Sequence, residues 1–387
     1  MSKKDSNVNI KITKVEITDE SLSNRGGLSL IVRYIRSSKV IQMLSDLFSF
    51  LRKSSKGAKL FTIFHQLICF FFDGTDFHLT RFDDLSKDAG YAATIETPQD
   101  KMISSHTVKR FFNSISKIKV RLFRTVLQNM FIWRLNIEKP EIIKLGIDTM
   151  VLDNDDALKR EGVDPTYKKV KGFQPLQMYW GRQVIDSIFR NGKAHSNHGN
   201  HVSLMVTKIV KLIRKKYLKD VPILLMADTG FFDEKLFKRF ANLNIGFVIG
   251  GKMYSDIKET INDIPDEKFF EYKRNEKTWF FTQFMDQRKS WDSAWLAIYA
   301  KPLTDDKGQI LLEFARPETI MYTNIGMNNE ITKKILKIKK TKENTISPQA
   351  IITLYHERAR DELVNRALKD FGSEQLPFKK FTANAAF

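Results

Sequence analysis

Two short runs constrain this chain most: Ile142-Ile143-Lys144-Leu145-Gly146-Ile147-Asp148 and Pro222-Ile223-Leu224-Leu225-Met226-Ala227-Asp228. Each is an apolar strand that ends in a carboxylate. Between them, Phe173 to Trp180 and Val184 to Phe189 are two further strand candidates, joined by a Gly181-Arg182 turn. His201 to Leu218 is amphipathic, with Lys208, Lys211, Lys215 and Lys219 on one side and Val210, Ile213 and Tyr217 opposite. A helix over Asp233 to Asn242 and a strand over Ile245 to Ile249 follow. Three strands, helix, strand, helix, strand describe a mixed sheet with helices packed on it, an α/β layer fold.

The flanking segments have other patterns. Residues 1–138 are helical in spacing: Leu28 to Phe50, Lys59 to Phe72 and Val108 to Trp133 carry apolar residues three and four apart. Ser104 to Thr107 reads as the capped start of the last of these. Residues 253–344 differ again. Lys268 to Gln283, Ala294 to Ala300 and Ile310 to Thr323 are aromatic and β-branched, the pattern of antiparallel strands, and read as an insertion rather than a continuation of the sheet. A lysine-dense stretch follows, from Lys333 and Lys334 through Lys337, Lys339 and Lys340 to Lys342. Residues 345–387 hold a helix capped by Ser347, with Pro348 at its first position and Gly372 at its end. The expected segments are therefore 1–138, 139–252, 253–344 and 345–387.

Charge narrows the partner. Lysine and arginine number 64 against 45 acidic residues, a net +19 over 387 residues, which favours a polyanion, either nucleic acid or an anionic membrane. The most apolar run, Phe61 to Phe72, is interrupted by Thr62, His65 and Gln66 and falls short of the roughly 20 residues a spanning helix needs. No apolar segment follows the charged N-terminus, so no secretory signal and no membrane partner are expected. The single cysteine, Cys69, excludes a disulfide framework and a cysteine-based zinc site and fits a reducing cytoplasm.

Asp148 and Asp228 stand at the ends of their strands, the edge at which ligands collect in α/β sheets, although either could instead begin a turn or cap a helix. On the last helix Tyr355, Arg358, Glu362 and Lys369 project along one narrow stripe, while Glu357 faces away. The stripe suits a metal ligand flanked by phosphate donors; it also suits a salt-bridged surface, since Arg358 and Glu362 are four apart. Three carboxylates in a basic chain are what metal-assisted phosphodiester chemistry needs. No Gly-x-x-x-x-Gly-Lys-Ser/Thr loop is present, which argues against ATP dependence. His195, His198 and His201 form a spaced cluster in a loop rich in asparagine and glycine, and Asp153, Asp155 and Asp156 read as a solvated turn. His356 reads as a packing or surface residue.

The chain resembles the DDE transposases of bacterial insertion sequences, in the branch with a β-rich insertion and a Tyr-x2-Arg-x3-Glu-x6-Lys signature. Tyr355, Arg358, Glu362 and Lys369 match that spacing at every position, Ile147-Asp148-Thr149 resembles the first acidic motif, and Ala227 to Phe232 resembles the second. Lys171 to Leu176, Arg190-Asn191-Gly192 and the tail Leu376-Pro377-Phe378 to Phe381-Thr382-Ala383-Asn384 add to the likeness.

The resemblance implies a ribonuclease H-like mixed sheet flanked by helices, an all-helical DNA-binding region over 1–138, and a β-rich insertion at 253–344 before the last catalytic helix. It implies that Asp148, Asp228 and Glu362 ligate two Mg²⁺ or Mn²⁺ ions, and that Tyr355, Arg358 and Lys369 grip phosphates near the scissile bond. By their spacing on one helix, Lys109 and Arg110, with Lys117, Lys119, Arg121 and Arg124, read either as DNA-phosphate contacts or as a solvated basic face, and the resemblance implies that Trp279, Trp291 or Trp295 would stack on a base turned out of the duplex. The implied partners are double-stranded DNA, as terminal inverted repeats and target, and further copies of the chain in a dimer or higher multimer at the bacterial nucleoid. Family members continue past the last motif, whereas this chain stops at Phe387; the alternative is a truncated, inactive copy that binds element ends.

Overall fold

In the computed structural model the two apolar runs become neighbouring strands at the heart of a mixed sheet. Described here are residue 14 and residues 23–51, 57–157, 159–312, 315–340, 343–372, 374 and 376–387, with backbone alone for 359–361. The chain divides into two compact units, residues 1–108 and 109–387.

The first unit is helical: α1 (Gly26–Ser37), α2 (Val40–Leu47), α3 (Leu60–Asp73), α4 (Arg81–Leu85), α5 (Ala89–Thr94) and the start of α6 (Ser105–Asn113). The single helix expected over Leu28 to Phe50 breaks at Lys39, which adopts a left-handed φ of 56°. The apolar run is α3, with Ile63, Phe64, Leu67 and Phe70 buried. Among the described residues no helix is long and apolar enough to cross a membrane. At the start of α6 the free N–H of Ser105 bonds to the Asp83 carboxylate at 2.9 Å, so the cap comes from α4 rather than from a nearby hydroxyl.

In the second unit α6 ends at Asn113 and α7 (Lys117–Glu138) begins after it, so the basic helix expected from Val108 onward is two helices. Then come β1 (Ile143–Thr149), β2 (Leu152–Asp153), β3 (Asp164–Pro165), β4 (Lys171–Phe173), β5 (Leu176–Trp180), β6 (Gln183–Ile188), α8 (His201–Lys216), β7 (Ile223–Ala227), α9 (Glu234–Asn242), β8 (Gly246–Gly250) and α10 (Ser255–Asn262). The remainder is β9 (Phe270–Arg274), β10 (Lys277–Asp286), β11 (Trp295–Pro302), β12 (Thr319–Thr323), α11 (Glu330–Lys339), α12 (Pro348–Glu357), α13 (Ala359–Asp370) and α14 (Phe381–Ala386). Lys342 lies outside the described residues, as do Glu313 and Phe314 within the run expected to form the last strand.

The main sheet has the order β6-β5-β1-β7-β8-β12-β11-β10-β9. Strands β6, β5 and β1 are antiparallel neighbours, while β1, β7 and β8 run parallel. That is the expected ribonuclease H-like mixed sheet. The aromatic strands β9 to β12 depart from expectation: β12 pairs with the free edge of β8, at Tyr322 with Ile249, and the meander extends the sheet instead of standing apart from it. An exposed β8 edge would present unpaired backbone groups, and β12 satisfies them.

Successive residues of β1 and β7 alternate between two cores. Ile143, Leu145 and Ile147 of β1 join Ile223, Leu225 and Ala227 of β7 under α7, α8 and α9. Leu224 and Met226 face the other way, against Ile331 and Ile335 of α11 and Ile351 and Ile352 of α12. By the same period of two, Asp148 and Asp228 belong to the α12 side of the sheet.

Candidate active site

Register brings the two strand-end aspartates together. Ile147 pairs with Ala227 across the parallel β1 and β7, so Asp148 and Asp228 follow side by side, about one strand spacing or 5 Å apart along the backbone. Both are half-buried. Asp228 caps the turn after β7, its Oδ1 accepting the Gly230 N–H at 2.9 Å, and its other oxygen has no hydrogen-bond partner among the described residues. Asp148 Oδ1 accepts the Thr149 N–H at 2.7 Å, and Oδ2 accepts from Asn365 Nδ2 of α13 at 3.1 Å. Asn365 is in turn held by the buried Tyr179 hydroxyl, which also meets Gln177.

The pair is electrostatically strained. Burial first, then the neighbouring Asp228 charge and more weakly Glu362, push the Asp148 carboxyl up from 3.8 to about 6, against the Thr149 N–H and the Arg358 guanidinium. Burial also raises Asp228, opposed by Arg358 and the Gly230 N–H. Two carboxylates side by side that resist ionisation are what a hard cation would relieve, and oxygen donors are the ligands Mg²⁺ and Mn²⁺ take.

The four residues expected along one stripe fall on two helices. Ser347 Oγ caps α12 at Ala350 N, Pro348 opens the helix and Gly372 closes α13 with a φ of 73°, as expected, while a break at Arg358 separates α12 from α13. Tyr355 reaches the site from α12. A Cβ on Gly250, at the end of β8, would lie 2.6 Å from the Tyr355 hydroxyl, so glycine there lets the phenol settle beside Thr229. Burial raises the Tyr355 hydroxyl, opposed by Arg358, with Asp228 adding to the rise. Arg358 lies 5.5 Å from the Tyr355 ring, and its buried Nε has no hydrogen-bond partner among the described residues. Glu357 faces away as expected and pairs with Lys144 at 2.7 Å.

Glu362 is exposed on α13, one helical turn before Asn365. Among the described residues no three His, Cys, Asp or Glu side chains are grouped to hold a metal ion. Glu362 is thus near enough to act on the Asp148 charge but is not closed onto the aspartate pair. Lys369 is bound to Glu374 at 2.6 Å, and Glu374 also accepts the Asp153 N–H at 3.2 Å. The histidine cluster is a set of ring contacts, with centroids 5.5 and 6.0 Å apart. Asp153 and Asp155 are exposed and form a turn closed by the Asp155 N–H on Asp153 Oδ1. His356 packs 5.4 Å from the Trp279 ring.

Of the tryptophans, Trp279 is 8% exposed and Trp295 6%, both within the cores, so neither offers a face for stacking. Trp291 is half-buried among Phe232, Phe237 and Tyr322, under the Arg288 guanidinium. Lys109 and Arg110 lie on α6, with Arg110 exposed.

Two residues near the aspartate pair, Asn365 and Tyr167, were not singled out from the sequence, and Arg190 entered only as part of a familial motif. Asn365 orients Asp148, and its offset of three from Glu362 was the available signal. Tyr167, exposed at the β3–β4 turn, is raised by burial and then by Asp148 and Asp228. Arg190 is buried, with its guanidinium on the carbonyls of Gln174 at 2.8 Å, His195 at 3.1 Å and Ser196 at 3.3 Å; burial lowers it to about 10. The Lys171 to Leu176 motif has a structural explanation as well. A Cβ on Gly172 would lie 1.9 Å from the Leu152 carbonyl oxygen, so only glycine fits where β4 meets β2 beside the end of β1. In the tail, Asn384 clamps Phe378, accepting its N–H at 2.9 Å and donating to its carbonyl at 2.8 Å.

A family described as transposase DDE domain group 1 matches residues 5–386. The chain belongs to the DDE transposases. A solved piggyBac transposase synaptic complex with hairpin DNA is similar at 12% identity and a TM-score of 0.40, over 93% of this transposase and 73% of that chain. A pre-cleavage Mos1 transpososome is similar at 11% identity and a TM-score of 0.20, over 59% of this transposase and 78% of that chain. No curated protein sequence matches. The family in general joins nuclease and strand-transfer activity and uses divalent metal ions.

Proposed function

We propose that this transposase cuts DNA at the ends of an insertion sequence and joins the freed end to target DNA. The observation that carries this is the pair Asp148 and Asp228, placed side by side by the β1–β7 register and faced by Arg358. Asp148 and Asp228 would hold Mg²⁺ or Mn²⁺, with Glu362 completing the set from α13. Bound there, two divalent ions supply an activated water and neutralise charge on the reacting phosphate.

The chain's own groups do the rest. Asn365 holds Asp148 in one orientation through Tyr179. Arg358, with a spare buried donor, would take a phosphate oxygen once the aspartate charge is shared with the cation. The Tyr355 hydroxyl, seated over Gly250, and Lys369, after releasing Glu374, would contact neighbouring phosphates. Water attack frees a 3′-hydroxyl, which then attacks the opposite strand or the target. No covalent enzyme–DNA intermediate is needed. Residues 1–138 with Lys109 and Arg110 would supply DNA contacts, 253–344 the insertion with Trp291 as its accessible aromatic, and a dimer or larger multimer would hold two ends.

The test is incubation with labelled duplex spanning an inverted repeat that brackets the reading frame. Nicking at the repeat boundary and joined products are expected with Mg²⁺ or Mn²⁺ and neither with EDTA. Binding without nicking would instead assign the protein to occupancy of element ends, and cutting selective for branched structures without joining would make it a resolvase-like nuclease.

A further inference from the structure

Tyr167 is 62% exposed, yet it stands beside the two strand-end carboxylates. After burial, the charges of Asp148 and Asp228 both act on its hydroxyl. An aromatic ring in solvent is common on a loop; this one is unusual in how firmly the backbone beneath it is held.

β3 and β4 form a hairpin whose three-residue loop is Tyr167 to Lys169. The Lys169 N–H closes it on the Thr166 carbonyl at 3.0 Å, and the Val170 carbonyl accepts both the Thr166 N–H at 2.9 Å and its hydroxyl at 2.7 Å. Lys169 takes a left-handed φ of 65°, the usual last step of such a loop. The base of the hairpin is braced on two sides. β4 pairs with β2 just past the end of β1, at Leu152 with Phe173. Opposite, a Cβ on Gly192 would lie 2.0 Å from the Asp164 carbonyl oxygen and 2.6 Å from that of Gly172. Lys193 adds an ion pair to Asp164 at 3.1 Å. Gly172 and Gly192, from two separate sequence motifs, thus serve one end: they press the hairpin against the sheet edge that carries Asp148.

A ring fixed in this way loses little freedom when a ligand meets it. Lys168 Nζ lies 6.0 Å from its centroid, an exposed contact that is weak and easily displaced. The phosphate at this site has its own partners in the cation and Arg358. The part of a nucleotide that matches an uncharged aromatic face is the base. Bases inside a duplex have both faces covered, so the ring fits one that has left its stack.

We propose that Tyr167 is a stacking platform for an unpaired nucleobase flanking the scissile phosphate. The proposal rests on the transposase reading above and narrows its substrate to DNA in which a base beside the cut is out of the helix. Tyr167 lies between the two acidic motifs, outside the 253–344 segment to which the resemblance assigns an aromatic contact.

The test crosses residue against base, reading the nicking rate in Mn²⁺ on the inverted-repeat duplex. Tyr167→Ala is expected to slow nicking about 5- to 100-fold. Tyr167→Phe and Tyr167→Trp should stay within about threefold of the unmodified protein, whereas Tyr167→Leu should not. Abasic sites are then placed singly over about three nucleotides on each side of the cut. At one position the unmodified protein should slow by a similar factor, and there Tyr167→Ala should cause no further loss. An unchanged rate for Tyr167→Ala, or losses that multiply at every abasic position, overturns the proposal. A Tyr167→Phe as slow as Tyr167→Ala overturns it in favour of the hydroxyl. Melting temperatures of the Ala and Leu variants should stay within about 2 °C of the unmodified protein. A lower melting temperature with the same loss on every substrate would make the role structural and overturn the proposal. Failure of the unmodified protein to nick the duplex would instead refute the transposase reading itself.

Discussion

Asp148→Asn is expected to reduce metal-dependent nicking of an element end by about 10³-fold or more, a barrier increase of about 4 kcal/mol. The replacement keeps the size of the side chain and its contact with Asn365, but it removes one of the two adjacent negative charges that would hold the cation. Asp228→Asn should behave alike, since the paired register gives the two carboxylates equivalent places at the strand ends. DNA affinity should persist or rise slightly in both variants, because a negative charge facing phosphates has gone. Nicking rates at saturating Mn²⁺, measured beside binding curves on the same duplex, check both expectations. Loss of binding together with cleavage would point to unfolding rather than to a missing ligand.

The same substitution should make the metal-free protein more stable. Raising the Asp148 carboxyl from 3.8 to about 6 corresponds to about 3 kcal/mol against the ionised form in the fold. Above about pH 6 the folded protein bears that cost in full. As pH falls through about 6 toward 3.8 the carboxyl takes up a proton and the cost disappears. At about pH 8 in EDTA, Asp148→Asn should therefore melt several degrees above the unmodified protein, and the difference should vanish near pH 4. Adding Mn²⁺ at about pH 8 should narrow or reverse the gap, because only the unmodified protein gains from binding the ion. Equal melting temperatures at about pH 8 would show that Asp148 ionises without cost. The expected higher melting temperature would show a site held in a conformation that favours function over stability, as charge clustered for catalysis commonly is.

The sheet around this pair was legible because its signals are local. Continuous apolar runs gave β1 and β7, and a carboxylate at the end of each marked the edge where they meet. The last helical segment was legible from its Ser347 cap, Pro348 and the Gly372 stop. Its break at Arg358 was not, because Tyr355 to Lys369 contains no proline or glycine to announce it. The three aromatic runs were recognised as strand-forming but not as part of the main sheet, and Lys268 to Gln283 folds as two strands, β9 and β10, while Ile310 to Thr323 forms a strand only from Thr319. Which edge a meander joins depends on non-local pairing, here Tyr322 against Ile249, and pattern alone does not encode it. The tryptophans were misleading in the same way: burial of Trp279 and Trp295 is settled by neighbours far away in sequence. Arg190 and Gly172 looked merely familial, and only the carbonyls around them show why nothing else fits.

The geometry of the third carboxylate is the point on which the enzyme rests, and it can be measured without knowing the DNA sequence. Fe²⁺ taken up at the proposed cation site, with ascorbate and peroxide, would cut the protein backbone only beside the bound ion. Fragments ending near Asp148, Asp228 and Glu362, all suppressed by excess Mg²⁺, are the expected result. Cuts near the two aspartates with none near Glu362 would contradict a three-carboxylate site.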